Sequence, residues 1–347
     1  MHYTLCSRHL FRVVLLLLSG LLVISGFAVG ARAATQPGAA DPAADFTLWL
    51  PLLLNPGTSA GVSGSFRTTV TPTADDDFSS AEFSLWIPED LPVVRGVIIY
   101  GPGCGASSLT DKPGTARAEL ARKWGLAFMG MQFKDKPDGK TCGWSRAERS
   151  GSAAAAIQAL NTFAQETSRP ELVNAPWLTY GMSGGAGWAM DMAITYPERT
   201  IAAFPRGAKS SRGNLPDAYG VPIMLSAGEN DGFLSGMRDV FTTHRAEGAL
   251  WSLAVTPNEG HVLGDSWDMA LVFFDAVLQQ RLPASAPTNG PVELLPMDTT
   301  QAWLGNNDSF DIAAVADYAG DKLQAAWLPD EMTATTWQTF VTTGKVE

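Results

Sequence analysis

The chain has 347 residues, 46% of them hydrophobic, with 24 basic and 35 acidic side chains and a formal net charge of −11. That length and apolar share suffice for one large α/β domain or two small ones, and they exclude a disordered or fibrous protein. The acidic balance argues against nucleic acid and anionic membrane surfaces as partners.

Arg8 and Arg12 precede an apolar run over 13–29, and Ala31-Arg32-Ala33 supplies the small residues of a cleavage site. Residues 1–33 therefore read as a secretory signal. The run is short for a membrane span and is interrupted by Ser19, Gly20, Ser25 and Gly26, so no stable membrane insertion is expected after cleavage. The expected location is secreted, periplasmic or at the cell surface. Without the signal, 21 basic residues face 35 acidic ones, a net charge of −14. Cys104 and Cys142 remain, and export permits disulfides.

Residues 34–61, rich in Ala, Pro, Gly and Thr around an apolar knot at 48–54, read as a linker. Segments 62–70 and 82–87 alternate as two opening antiparallel strands on either side of the turn-like TPTADDD. From residue 93 buried strands alternate with helices. Strands are predicted at 94–100, 126–133, 177–180, 201–205, 222–227 and 250–255, and helices at 114–124, 152–166, 186–196, 234–247 and 267–281. Within 152–166, Ala153, Ala156, Ile157, Leu160 and Phe163 share one helix face. This alternation predicts an α/β fold, a mainly parallel sheet covered on both faces, with binding loops at the carboxyl ends of its strands. The main domain spans 62–282. The segment 283–347, with Trp303, Trp327 and Trp337, reads as a compact extension packed on it, helical near 312–318 and 330–340.

The stretch PWLTYGMSGGAGWAMDMAITYP, residues 176–197, reads as strand, sharp turn and helix. Gly181-Met182-Ser183-Gly184-Gly185 has the form G-x-S-x-G, a turn that lifts a serine hydroxyl from the top of a sheet. A serine hydroxyl needs a base, and histidine suits neutral pH. Only His244 and His261 follow the signal. His244 lies inside a predicted helix and reads as a packing or surface residue. His261 sits in the loop Asn258-Glu259-Gly260-His261, after the last predicted strand, where a base could face the serine.

The histidine needs an acid to fix its tautomer. The loop Gly228-Glu229-Asn230-Asp231-Gly232 offers two, and Asp231, deeper in the loop and beside a glycine, is favoured over Glu229. Asp265 and Asp268 read as first-turn helix acids. Chain order is then Ser183, Asp231, His261. For an oxyanion, the expected donors are the backbone N–H groups of Gly184 and of Cys104, in the Gly-rich loop 100–105. That loop lacks the lysine and the spacing of phosphate-binding loops. Without C-x-x-C or H-E-x-x-H, no metal and no cofactor are expected. Met182, Trp144, Trp188 and Phe233 are candidate pocket walls.

Five pieces in order, VIIYGPGCG, LTYGMSGGAGW, YPERTIAAF, VPIMLSAGENDG and NEGHVLG, make residues 93–282 resemble an α/β-hydrolase. The similarity is to secreted esterases of the feruloyl esterase, polyhydroxyalkanoate depolymerase and dienelactone hydrolase kind. The resemblance implies an eight-stranded, mostly parallel sheet with helices on both faces, and cleavage of a small-molecule or polymeric carboxylic ester through an acyl-enzyme. The implied strand order places the loops carrying Cys104 and Cys142 side by side, so a disulfide between them is expected. A peptidase or amidase on the same fold is the alternative, as is a non-catalytic surface or carbohydrate-binding protein. An intact set of Ser183, Asp231 and His261 speaks against the latter. The sequence carries no reading of oligomeric state.

Overall fold

The computed structural model describes residues 61–208, 218–287 and 289–346. The signal and the linker expected over 1–61 lie, apart from Gly61, outside the described residues. β1 (Gly64–Val70) and β2 (Ser80–Ile87) pair antiparallel, Gly64 opposite Ile87 and Val70 opposite Ala81. β3 (Gly96–Gly101) is followed by α1 (Thr115–Trp124) and β4 (Leu126–Lys134). Gly125 stops α1 with a φ of 69° and donates its N–H to carbonyls of the last turn, where a left-handed residue is needed. Then come α2 (Ser152–Glu166), β5 (Trp177–Met182), α3 (Gly184–Thr195) and β6 (Thr200–Arg206). β7 (Ile223–Gly228), α4 (Leu234–Ala246), β8 (Trp251–Thr256) and α5 (Ser266–Arg281) close the series.

The eight strands form one sheet in the order β1-β2-β4-β3-β5-β6-β7-β8. β2 runs antiparallel to β1 and β4, and every later neighbour is parallel. This is the α/β-hydrolase arrangement, with helices on both faces. The pleat explains the layering: Ile98 points into a core with Tyr180, Phe204 and Phe273, whereas its neighbours Val97 and Ile99 enter a second core with Ala156, Leu160 and Trp188. β3 connects onward to β4 on one side of it, whereas its neighbour β5 connects onward to β6 on the other. A crevice opens there at the carboxyl ends of β3 and β5.

The C-terminal segment carries β9 (Trp303–Gly305), β10 (Ile312–Ala314) and β11 (Ala326–Leu328), a small antiparallel sheet ordered β10-β9-β11, and α6 (Glu331–Thr343). Asp330 caps α6 by accepting the Thr333 N–H at 2.8 Å. The helix predicted near 312–318 is not formed. Ile312 to Ala314 pair instead with Gly305 to Trp303, and a turn follows. So short an Ala-rich stretch cannot offset the cost of helix nucleation, and pairing with β9 wins. The segment shares the core of the main sheet: Trp337 and Phe340 are fully buried, and the Trp337 indole donates to the Leu253 carbonyl of β8 at 2.9 Å. Arg245 of α4, 4% exposed, donates to the carbonyls of Lys322 and Ala325. No helix among the described residues is long and apolar enough to cross a membrane.

Candidate active site

Ser183 stands between β5 and α3 with φ 54° and ψ −118°, a conformation disfavoured for a residue with a Cβ. Two hydrogen bonds hold the turn: the Ser183 N–H donates to the Arg206 carbonyl at 2.8 Å, and the Gly185 N–H to the Pro102 carbonyl at 3.0 Å. The first bond ties the serine to β6 and the second ties α3 to the loop after β3. The glycines flanking the serine are a steric requirement, because a Cβ on Gly181 would strike the Gly185 carbonyl and one on Gly185 would strike the Gly101 carbonyl. Backbone cannot yield there as a side chain can. Gly185→Ala is therefore expected to cost more than about 3 kcal/mol or to prevent folding, whereas Gly232→Ala, with open space around it, should stay within about 1 kcal/mol of the parent. Urea unfolding midpoints of the two variants check this.

Asp231 is buried just beyond the end of β7, its side chain 2% exposed. One carboxylate oxygen accepts the Phe233 N–H at 2.9 Å and the other meets His261 Nδ1 at 2.9 Å. Glu229 is exposed and accepts the Asn258 N–H at 2.9 Å, bracing the histidine loop. Of the two acids, Asp231 is the one against the imidazole. The ring of Phe233 lies 5.3 Å from that of His261. His244 is buried in α4, 4.6 Å from the Trp251 ring and 3.3 Å from the Tyr219 hydroxyl, and burial lowers its imidazole pKa. It lies about 15 Å along the helix from the end that follows Asp231. Asp265 precedes α5 and Asp268 stands in its first turn.

A cleft of about 620 Å³ opens at Ser183 and Gly184 and is lined further by Cys104, Cys142 and Phe233. Lys140 and Arg146 also face it, two cations in an acidic chain. Met182, Trp144 and Trp188, expected among the walls, lie elsewhere. Trp144 stacks on Phe133 at 5.1 Å, Trp188 is fully buried in the core beneath α3, and Met182 is 8% exposed and does not line the cleft. Of the four, Phe233 alone reaches it.

Cys104 and Cys142 form a disulfide, their Cα atoms 5.3 Å apart. It rests on α3: a Cβ on Gly184 would strike both sulfurs. The loop that carries Cys104 is fixed at its far side by Ser108, whose hydroxyl bonds the Tyr100 carbonyl at 2.7 Å and accepts the Met131 N–H at 2.8 Å. Closing 38 residues, the bridge should stabilise the fold by about 4 kcal/mol. Reduction is expected to lower Tm and, by freeing the loop that carries Cys104 over α3, any turnover at the cleft as well. Thiol titration followed by assay of the reduced and parent proteins checks both.

Sequence reasoning missed three residues that shape the site. Gly207, with φ 71°, follows β6 directly, and a Cβ there would come within 3.0 Å of His261 Nδ1 and Asp231 Oδ2. Only a glycine leaves room for that pair. Arg206 and Glu259, an ion pair at 2.5 Å, underlie the histidine loop. Burial pulls the Arg206 guanidinium below its usual pKa, and the charge of Glu259 opposes this. A lone arginine ending the apolar strand TIAAFPR was the signal available.

No family model and no curated protein matches the sequence. Among solved structures, a thermostable esterase is 14% identical, with 56% of this chain aligned to 55% of that one at a TM-score of 0.43. A ferulic acid esterase is 11% identical over 62% of this chain and 98% of that one, with a TM-score of 0.46. An S-formylglutathione hydrolase from Agrobacterium tumefaciens is 15% identical over 63% and 95%, with a TM-score of 0.43. Likenesses this distant leave the fold assignment resting on the order of the sheet and the chemistry on the residues of the cleft.

Proposed function

We propose that the chain is an exported serine hydrolase that cleaves a carboxylic ester through an acyl-enzyme. The observation that carries this reading is the contact between His261 Nδ1 and the buried carboxylate of Asp231 at 2.9 Å, on a loop at the same sheet edge as the serine turn. With its Nδ1–H donating a hydrogen bond to the Asp231 carboxylate, the imidazole keeps a lone pair on Nε2 to act as base. Ser183 Oγ attacks the ester carbonyl while its proton passes to Nε2. The tetrahedral adduct then collapses as that proton goes to the departing alcohol. Water, deprotonated by the same nitrogen, attacks the acyl-serine, and collapse returns the proton to Ser183 and releases the acid.

Negative charge on the adduct needs donors that are not already engaged. Of the first N–H groups of α3, that of Gly185 bonds Pro102 and those of Ala186 and Gly187 bond Ser183. The Gly184 N–H has no partner among the described residues and serves as one donor; the Cys104 N–H, in the loop whose disulfide rests on α3, serves as the other. Export is supported by the signal-like residues 1–33 and by the disulfide, a bond that persists in oxidising compartments.

Labelling by a fluorophosphonate tests the reading. The expected result is a single adduct, mapped by peptide mass to Ser183 and absent from Ser183→Ala. A parent protein that stays unlabelled while hydrolysing no activated ester would overturn it.

A further inference from the structure

Arg206, the last residue of β6, is 1% exposed, and its guanidinium is buried at the carboxyl edge of the sheet. A charge in that position costs several kcal/mol unless its hydrogen bonds are met. Here four are made, with partners drawn from three separate elements. Nη1 donates to Ser226 Oγ of β7 at 2.7 Å, and Nη2 donates to Thr256 Oγ1 of β8 at 3.0 Å and to Glu259 Oε2 at 2.5 Å. Nε donates to the Val262 carbonyl at 2.8 Å. The strand register delivers these partners: Arg206 lies opposite Ser226 in β7, and Thr256 is the last residue of β8.

Two of the four bonds reach the histidine loop, one to Glu259, two residues before His261, and one to Val262, the residue after it. Glu259 is itself anchored, accepting from Thr256 Oγ1 at 2.8 Å through its carboxylate and from the Asn230 N–H at 2.7 Å through its carbonyl. Asn230 adjoins Asp231. On its other side, the Arg206 carbonyl accepts the Ser183 N–H. One residue thus holds the backbone of the serine turn with its main chain and brackets His261 with its side chain. Apolar packing alone would be served more cheaply by a hydrocarbon side chain, which needs no partners.

We infer that Arg206 is the positioning residue of the site, fixing the loop 259–262 so that His261 faces Asp231 and Ser183 together, with Glu259 as its counter-charge. The inference rests on the serine hydrolase reading. Arg206 touches no reacting atom, so its loss should act on kcat rather than on substrate binding.

The experiment compares the parent with Arg206→Met, Arg206→Lys and Glu259→Gln on an activated ester, together with backbone amide exchange followed by mass spectrometry. Arg206→Met is expected to lower kcat by about 10²-fold with KM within about twofold, the scale of a displaced catalytic group. Arg206→Lys, which can reach Glu259 but not all four acceptors, should recover roughly a third of that loss on a logarithmic scale. Combining Arg206→Met with Glu259→Gln should be little worse than Arg206→Met alone, because both changes disable one device. Amide exchange in 257–264 should quicken by about tenfold or more in Arg206→Met, while that of β5 and α2 stays as in the parent. If Arg206→Met does not fold, Arg206→Lys and Glu259→Gln carry the same comparison. Parental kcat and parental loop exchange in the folded variants would overturn the inference. A parent that labels at Ser183 yet shows that result sinks this inference alone, whereas a parent that never labels removes the hydrolase reading first.

Discussion

Replacing Ser183 by Ala, or His261 by Ala, is expected to lower kcat on an activated ester by about 10³-fold or more while leaving KM and the fold close to the parent's. The reason lies in the order of events. Without the hydroxyl no acyl-enzyme forms, and without the imidazole the hydroxyl keeps its proton. Both losses fall on the transition state. The double variant should be hardly worse than either single one, since neither group works without the other. His244→Ala serves as the control, because that histidine packs against Trp251 and Tyr219 away from the serine turn. Its loss should cost stability, since the ring is buried, but leave kcat within about twofold. Steady-state kinetics on the four variants decide the matter, and parental activity in Ser183→Ala would remove the mechanism.

Asp231→Asn is the second large effect, expected to lower kcat by about 10⁴-fold. The buried carboxylate accepts from both Phe233 N–H and His261 Nδ1. An amide in its place can turn an NH₂ toward Nδ1, which selects the other tautomer and puts the proton on Nε2, where the lone pair is needed. The imidazolium formed during attack would also lose its counter-charge. Glu229→Gln should cost tenfold at most, because an amide oxygen can still accept the Asn258 N–H that Glu229 now holds. The reverse ranking of the two variants would move the acid to Glu229.

What could be read in advance was local. The serine turn announces itself through glycines that must lie next to the serine in sequence, and the strand and helix periods of 94–281 follow from burial on one or both faces. Loop position favours Asp231 over Glu229, and the structure has Asp231 against the imidazole and Glu229 against Asn258. What escaped depends on neighbours distant along the chain. Arg206 acquires its partners only when β6, β7 and β8 align, and Gly207 matters only because His261 arrives opposite it. The same holds for Trp144 and Trp188. Large aromatic side chains near a site in sequence can face either side of a helix or loop, and both are taken up by the core. In the C-terminal segment the strand Ile312–Ala314 exists by virtue of β9, a partner that its own composition does not announce.

The last strand of the main sheet, β8, is paired on one side only. Its other border would be a row of unsatisfied peptide groups, the kind of surface onto which a strand from another molecule can add. The Trp337 indole occupies one of those carbonyls, that of Leu253, and α6 and β11 pack beside the strand. The residues after Pro283 thus cover part of that border. A shortened chain that keeps every residue of the cleft would still be prone to aggregate through β8, so its loss of activity would report insolubility rather than chemistry.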